Sequence, residues 1–321
     1  MKKTFWTFVV LSLVSMLTIP AAAQDYPFKS IRMVVPYPPG GAGDMHVRLI
    51  SQKLGVLLGQ TVVVENRAGA SGNIGAEYVV KSAPDGYTLV FGTTNMAINQ
   101  AVSGKMPFNV LTDLEPITIT LNSQNLLAVR TTMPANNIKE LIAYAKANPG
   151  KINFGSSGIG SPWLAVEILK SLAGVEMVHV PYKGDGPAIV DLIGGQIDIY
   201  ATNISAVDAH HRAGKIRGLA VTSRKRSASL PDIPTMEEAG VPGYELEGWF
   251  GFLAPAGTPR PIIEKLHAAM VKIVAMPDVQ KSMLDIGLSP ATLTPEEFRQ
   301  RIQSDIAKFT RVVKSSGIKV E

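Results

Sequence analysis

Apolar positions along this chain alternate between a period of two and a period near 3.6. Residues 31–37 (IRMVVPY) read as a strand, and the breaker-rich loop Pro38-Pro39-Gly40-Gly41-Ala42-Gly43 follows it. Asp44 then stands at an N-cap position before Val47, Ile50, Leu54 and Leu57, which share one helical face. Gly59-Gln60 ends the helix, and residues 61–65 (TVVVE) read as the next strand. The middle of the chain repeats this order. A strand at 151–154 leads into Gly155-Ser156-Ser157-Gly158-Ile159-Gly160. Ser161 caps, Pro162 suits the first helical position, Leu164, Ile168 and Leu172 form a stripe, and 177–180 is a strand.

Both copies continue alike. After Glu65 come Asn66-Arg67-Ala68-Gly69, a helix near 74–82, a turn at Pro84-Asp85-Gly86 and a strand at 87–92. After Val180 come Pro181-Tyr182-Lys183-Gly184, a helix near 187–193, a turn at Gly194-Gly195 and a strand at 197–201. Alternation of this kind predicts an α/β fold with parallel sheets, and two copies predict two lobes with a cleft between them. Residues 111–129 read as extended chain linking the lobes, and 138–147 as a helix ended by Asn148-Pro149-Gly150. Two more helices follow near the C-terminus. One starts after Thr258 with Ile262, Leu266 and Ile273 on one face. The other starts at the capping box Thr294-Pro295-Glu296-Glu297, and Thr235 with Glu238 makes a further box.

The first residues stand apart from this pattern. Lys2 and Lys3 precede an apolar run over 5–19, then Pro20 and Ala21-Ala22-Ala23. That is the layout of a secretory leader cleaved after Ala23, and the run is short of the ~20 residues a membrane span needs. Loss of the two lysines takes the formal charge from +5 to +3. An exported chain so weakly basic, with Arg224-Lys225-Arg226 its one basic run, is not expected to bind nucleic acid. The chain has no cysteine, which excludes disulfides, thiolate metal sites and cysteine nucleophiles. Five histidines, of which only His210 and His211 are adjacent, offer little for a metal site, and no cofactor is expected.

The two glycine loops carry the candidate chemistry. Each sits at the carboxyl end of a predicted strand and just before a helix, where open α/β sheets bind ligands. Free N–H groups and the positive end of the helix dipole there suit an anion, most simply a carboxylate. Ser156 and Ser157 add hydroxyls, and Asp44 is the sharpest single carboxylate. Rival signatures fail. There is no G-x-x-x-x-G-K-[ST], the third glycine of a dinucleotide fingerprint is missing, and no G-x-S-x-G surrounds Ser156 or Ser157. His179 sits within a strand and reads as packed, whereas His46, on the first helical turn, is placed to reach the cleft.

Several longer runs resemble the substrate-binding proteins of tripartite tricarboxylate transporters, the Bug receptors. They include Val35-Pro36-Tyr37-Pro38-Pro39-Gly40-Gly41 with Asp44 and Arg48, Val64-Glu65-Asn66-Arg67 with Gly69, Gly72 and Gly75, and Ala83-Pro84-Asp85-Gly86-Tyr87-Thr88-Leu89. Tyr144 to Lys151, His179-Val180-Pro181-Tyr182-Lys183-Gly184, Pro231 to Thr235 and Ala254 to Pro259 continue the match in order. The resemblance implies a two-lobed periplasmic-binding-protein (Venus flytrap) architecture, each lobe a mainly parallel sheet with flanking helices. It also implies a discontinuous first lobe, residues 24–124 plus 249–321, with residues 125–248 as the second. The implied function is to capture a small ligand, mostly a carboxylate in that family, and to deliver it as a monomer to a membrane permease with a large and a small subunit.

Carried over by residue, the first-lobe site is Tyr37, Ala42, Gly43 and Asp44 with Thr93, Thr94 and Asn95. The second-lobe site is Ser156, Ser157 and Gly158 with Tyr182 and Asn203. Departures fall at the cleft. Trp163-Leu164-Ala165 replaces a common His-Leu-Ala, and Met45-His46-Val47 fills positions usually small and apolar. Trp163 is placed either to stack on a flat ligand or to pack over the helix end. The competing reading, an exported hydrolase or isomerase acting on a carboxylic acid, needs a nucleophile beside a base, and none is visible next to the serines.

Overall fold

The computed structural model describes residues 25–102, 106–156, 158, 160–285 and 288–315; the leader expected at 1–23, Gln24 and Ser157 lie outside the described residues. In chain order the strands are β1 (Ile31–Val35), β2 (Val62–Asn66), β3 (Thr88–Thr93), β4 (Leu114–Ser123), β5 (Asn125–Arg130), β6 (Asn153–Ser156), β7 (Val178–Pro181), β8 (Ile199–Asn203), β9 (Ile216–Val221), β10 (Gly248–Pro255) and β11 (Ser289–Pro290). The longer helices are α1 (Ala42–Leu58), α2 (Asn73–Val80), α3 (Thr94–Val102), α4 (Ile138–Ala147), α5 (Ser161–Ala173), α6 (Asp185–Gly194), α7 (Ile204–Arg212), α8 (Arg260–Val274), α9 (Pro277–Asp285) and α10 (Pro295–Ser315).

Two sheets form, in the orders β11-β4-β10-β3-β1-β2 and β7-β6-β8-β5-β9. In the first, β1 lies parallel to β2 and β3; in the second, β6 lies parallel to β7 and β8. Antiparallel pairing surrounds one inner strand of each sheet where the chain changes sheets: β10 is antiparallel to β3 and β4, and β5 to β8 and β9. These are the strands by which the chain enters a sheet from the other one. β4 runs up to Ser123, Gln124 makes the crossing, and β5 starts at Asn125. A chain that arrives where the parallel strands end must run the opposite way. The stretch read as a link, 111–129, is therefore a pair of buried strands, one in each sheet.

Helices cover both faces of each sheet. Alternation along β1 sends Ile31, Met33 and Val35 toward α1 and α8, and Val34 toward α2 and α10. In the second sheet Leu127 and Val129 meet α4 and α5, while Leu126 and Ala128 meet α6 and α7. Helix α10 belongs to both layers. Phe298 and Ile302 lie in a core of the first sheet, and Phe309, eleven residues beyond Phe298, is fully buried in the core of the second with Ala97 and Ile98 of α3.

Three local expectations change. Gly41, in extended conformation, is the N-cap of α1, and Asp44 is its third residue. Gly160 likewise caps α5, so Ser161 opens the helix. The Thr235–Glu238 box makes both reciprocal bonds, at 2.9 and 3.1 Å, but around a turn that Gly240 ends at φ +98°. The Thr294–Glu297 box makes the same pair at 2.8 and 3.2 Å and does start α10.

His46 does not reach the cleft. It is 3% exposed, its Nε2 meets Thr120 Oγ1 at 2.7 Å, and its ring lies 6.1–6.5 Å from those of Phe91, Phe250 and Phe252. Burial holds its pKa down to about 3, because the imidazolium would lose its hydration there.

Two predictions follow from this packing. Phe309→Ala should cost about 3–5 kcal/mol in urea unfolding, the usual loss for a fully buried phenyl; a cost under ~1 kcal/mol would show that α10 does not anchor the second core. The unfolded chain protonates His46 near pH 6.5, whereas the folded chain resists until about pH 3. Its stabilising contribution is thus complete above pH 6.5 and falls by about 1.4 kcal/mol per pH unit below it. His46→Gln should flatten the stability curve between pH 6 and 4, and an unchanged slope would refute the neutral, buried histidine.

Candidate functional site

Parallel strands that end at the crossing put the starts of their following helices there too. Five helices begin around one cavity of about 240 Å³: α1 with Gly41, Gly43 and Asp44, α3 with Thr94 and Asn95, α5 with Ser161 and Pro162, α6 with Asp185, and α7 with its N-cap Asn203. The first N–H groups of a helix have no partner within it, so these ends present donors and partial positive charge. Tyr37, Phe91, Thr93, Ser123, Thr202, Gly248, Trp249 and Phe250 complete most of the wall. A wider cavity of about 660 Å³ adjoins it, shares Gly43, Asp185, Asn203 and Phe250, and adds Ala42, Met45 and Arg212.

The first-lobe loop is held from behind by Asp44. Its carboxylate is 4% exposed and accepts from Gly40 N (3.0 Å), Arg48 Nε (3.0 Å), Arg48 Nη2 (3.1 Å) and Asn66 Nδ2 (2.9 Å). Asn66 Nδ2 also donates to Tyr37 O at 3.1 Å, so the network ties the loop to the end of β2. The Arg48 hydrogen bond is the main reason the Asp44 carboxyl stays ionised down to about pH 2, with Asn66 and Gly40 helping against burial. Asp44 lines the cavity, but its oxygens are already engaged. Gly43 lies close beside it: a Cβ there would stand 3.0 Å from the Phe91 ring, a tight contact that the ring would have to yield to.

The start of α3 is equally ordered. Thr93 Oγ1 meets Tyr37 OH at 2.7 Å and accepts from Asn95 N at 3.2 Å. Thr94 Oγ1 accepts from Trp249 N at 2.7 Å. Asn95 reaches across to the other lobe, where its Oδ1 accepts from Ser161 N at 3.3 Å, and Ser161 Oγ accepts from Asn125 Nδ2 at 2.6 Å. Gly248 is needed at the second crossing because a Cβ would sit on Ser123 Oγ.

Of the residues singled out in the sequence, Tyr37, Gly43, Asp44, Thr93, Thr94, Asn95 and Asn203 line the inner cavity, and Ala42 the wider one. Four others line neither. Ser156 is fully buried; its hydroxyl donates to Gly158 O at 2.9 Å and lies 2.6 Å from His179 Nε2. Gly158 (φ +95°) turns the loop. Trp163 is 3% exposed in the second core and presents no ring face to a ligand. Tyr182 donates to Asp191 at 2.7 Å, beside the core under α6. The serine and imidazole are neighbours because Phe154 pairs with His179 in the β6–β7 register, so the missing base is present after all, but the pair is locked away from both cavities.

Sequence reasoning missed Ser161, Thr202, Asp185, Trp249 and Phe250. The strand–loop–helix rule that found the glycine loops applies equally at Lys183-Gly184-Asp185, where the helix start, and not the preceding aromatic, meets the cavity. Trp249 and Phe250 come from a distant segment with no local signal. Among the described residues, no three His, Asp or Glu side chains are grouped to hold a metal ion, and no helix is long and apolar enough to cross a membrane.

Comparison with known proteins fits this geometry. The family described as the tripartite tricarboxylate transporter family receptor matches residues 47–318. Protein BugT of Bordetella pertussis (strain Tohama I) is 36% identical over 305 residues, 94% of either chain. An R. palustris protein solved with adipate is similar at TM-score 0.82 and 36% identity, covering 92% of this chain and 99% of that one. MatC from Rhodopseudomonas palustris with bound malate gives 0.78 and 30%, covering 90% and 100%. The fold is the two-lobed α/β architecture of periplasmic binding proteins. This chain belongs to the tripartite tricarboxylate transporter receptor family, the Bug proteins, and is a solute-binding receptor and not an enzyme.

Proposed function

We propose that the protein captures a small carboxylate in the periplasm, closes its lobes over it, and delivers it as a monomer to a tripartite tricarboxylate-type permease with a large and a small membrane subunit. The observation that carries the carboxylate is the convergence of five helix N-termini on one cavity whose lining contains no Lys, Arg or His. Backbone N–H groups and the hydroxyls of Thr93 and Ser161 then supply the donors. A volume of about 240 Å³ is below the range of drug-sized pockets and suits a small acid. The bound adipate and malate of two relatives are acids of that kind. The leader over 1–23 supplies export, and the lobes comprise residues 24–124 with 249–321 and residues 125–248, meeting at the two crossings.

In this reading Tyr37, Gly43, Thr93, Thr94, Asn95 and Asn203 contact the ligand together with Ser161, Thr202 and Asp185. Ala42 borders its entry. Asp44, Ser156, Gly158, Trp163 and Tyr182 hold the loops in shape, and Ser157 belongs to the second loop.

Thermal unfolding of ligand-stripped protein against a panel of carboxylic acids tests this. A ligand at 100 times its Kd adds ~2.7 kcal/mol, a rise of roughly 5 °C for a chain of this size. One or a few acids should produce it; a flat response to the whole panel would refute the carboxylate. For any acid that binds, Thr93→Val should weaken binding about 5–10-fold in calorimetry, as expected for one or two lost hydrogen bonds. Unchanged affinity would remove the α3 start from the site.

A further inference from the structure

The two carboxylates on the cavity wall are not equivalent. Asp44 is matched by a guanidinium, an amide and a backbone N–H, and all its hydrogen-bonding directions are used within its own lobe. Asp185 is matched by neutral hydroxyls alone. Its Oδ1 accepts from Tyr200 OH at 2.5 Å and its Oδ2 from Thr202 Oγ1 at 3.3 Å. No ion pair among the described residues includes it. It is the first residue of α6, where the helix end supplies only partial positive charge and no counter-charge of full size. It also lines both the inner cavity and the wider one, so it stands where they join.

Asn203 points the same way. It too lines both cavities, and its Oδ1 is buried with no hydrogen-bond partner. A buried acceptor without a donor is costly, and a ligand that brings the donor recovers that cost. On the opposite wall stand the starts of α1 and α3, whose N–H groups and Thr93 and Thr94 hydroxyls suit an anion. The wall is thus uneven: Asp44 in the first lobe is fully matched, whereas in the second lobe Asp185 and the Asn203 amide oxygen offer unmatched acceptors beside the start of α6.

We infer that this receptor selects a carboxylate carrying an ammonium group at its far end, and that Asp185 is the residue that sets this preference over dicarboxylates. The inference rests on the carboxylate reading above and deepens it. A second carboxylate at the Asp185 end would meet a like charge and an amide oxygen, whereas an ammonium would meet its counter-ion and a donor-seeking amide oxygen.

The test compares ligands that differ only at that end: succinate with 4-aminobutanoate, and adipate with 6-aminohexanoate, titrated calorimetrically into ligand-stripped protein. The wild type should bind at least one amino acid about tenfold or more tighter than its dicarboxylate counterpart, the scale of a charge-assisted hydrogen bond. Asp185→Asn, which keeps shape and an acceptor for Tyr200, should bring the two within about threefold, mainly by weakening the amino acid. The wild-type comparison needs no variant and stands even if Asp185→Asn folds poorly. Dicarboxylates binding as well as or better than their amino counterparts would overturn the inference and leave the carboxylate reading standing. A preference that survives in Asp185→Asn would overturn the role of Asp185. If no acid of either kind binds, the carboxylate reading falls and this inference with it.

Discussion

The chain crosses between its two sheets twice at almost the same place, and most of the architecture follows from that constraint. Leu246 N donates to Thr222 O at 2.9 Å, Thr222 N donates to Asn125 O at 3.0 Å, and Gly248 pairs with Ser123, so outgoing and returning segments are stitched together. An entering strand must run away from the crossing, which makes β5 and β10 antiparallel to their neighbours. Strands β1, β3, β6, β7 and β8 end at the crossing, and the helices that follow them begin there. The polarity of the site is therefore a consequence of connectivity before any side chain is chosen. The crossing is also braced at a distance, because α10 puts Phe298 in one core and Phe309 in the other.

Much of this was legible in the sequence, for reasons that differ by element. Helix α4 falls over 138–147 as its periodicity and the Asn148-Pro149-Gly150 stop predict. Strands β1, β2 and β3 lie within two residues of their apolar runs, because half-buried strands declare themselves by alternation. The buried run over 111–129 has no alternation to read, and only pairing shows it to be two strands in different sheets. The Thr235–Glu238 box shows the limit of a local motif. Its hydrogen bonds form, yet Gly240 ends the turn before a helix can propagate.

The site was legible where one rule sufficed and obscure where register was needed. A glycine loop between strand and helix marked Gly43 and Asp44, and the family resemblance marked Thr93, Thr94 and Asn95; all five line the inner cavity. The same loop logic placed Ser156 at the ligand, but strand pairing turns its hydroxyl toward His179 and the Gly158 carbonyl. Asp44 read as a cap and a ligand contact; folding makes it the neutralised anchor of its loop, because Arg48 lies one turn away and Asn66 at the end of the adjacent strand. His46 read as placed to reach the cleft from its position on the first turn. In the fold it lies against the face of β3, β10 and β4, among phenyl rings and bonded to Thr120.

The proposed site would hold its anion with helix ends and not with lysine or arginine. A buried cation would carry its own desolvation cost and fix the ligand strongly at one geometry. Backbone N–H groups and hydroxyls carry no formal charge, so the proposed site would hold a carboxylate without an ion pair. They also resemble one another, and resemblance among donors cannot distinguish one acid from the next. Discrimination must then reside in the few wall residues that differ in charge or shape. Here those are Asp185 and Asn203 at one end and the rings of Phe91, Trp249 and Phe250 along the side. The scaffold that makes the cavity hospitable to acids in general is thus separable from the residues that choose among them.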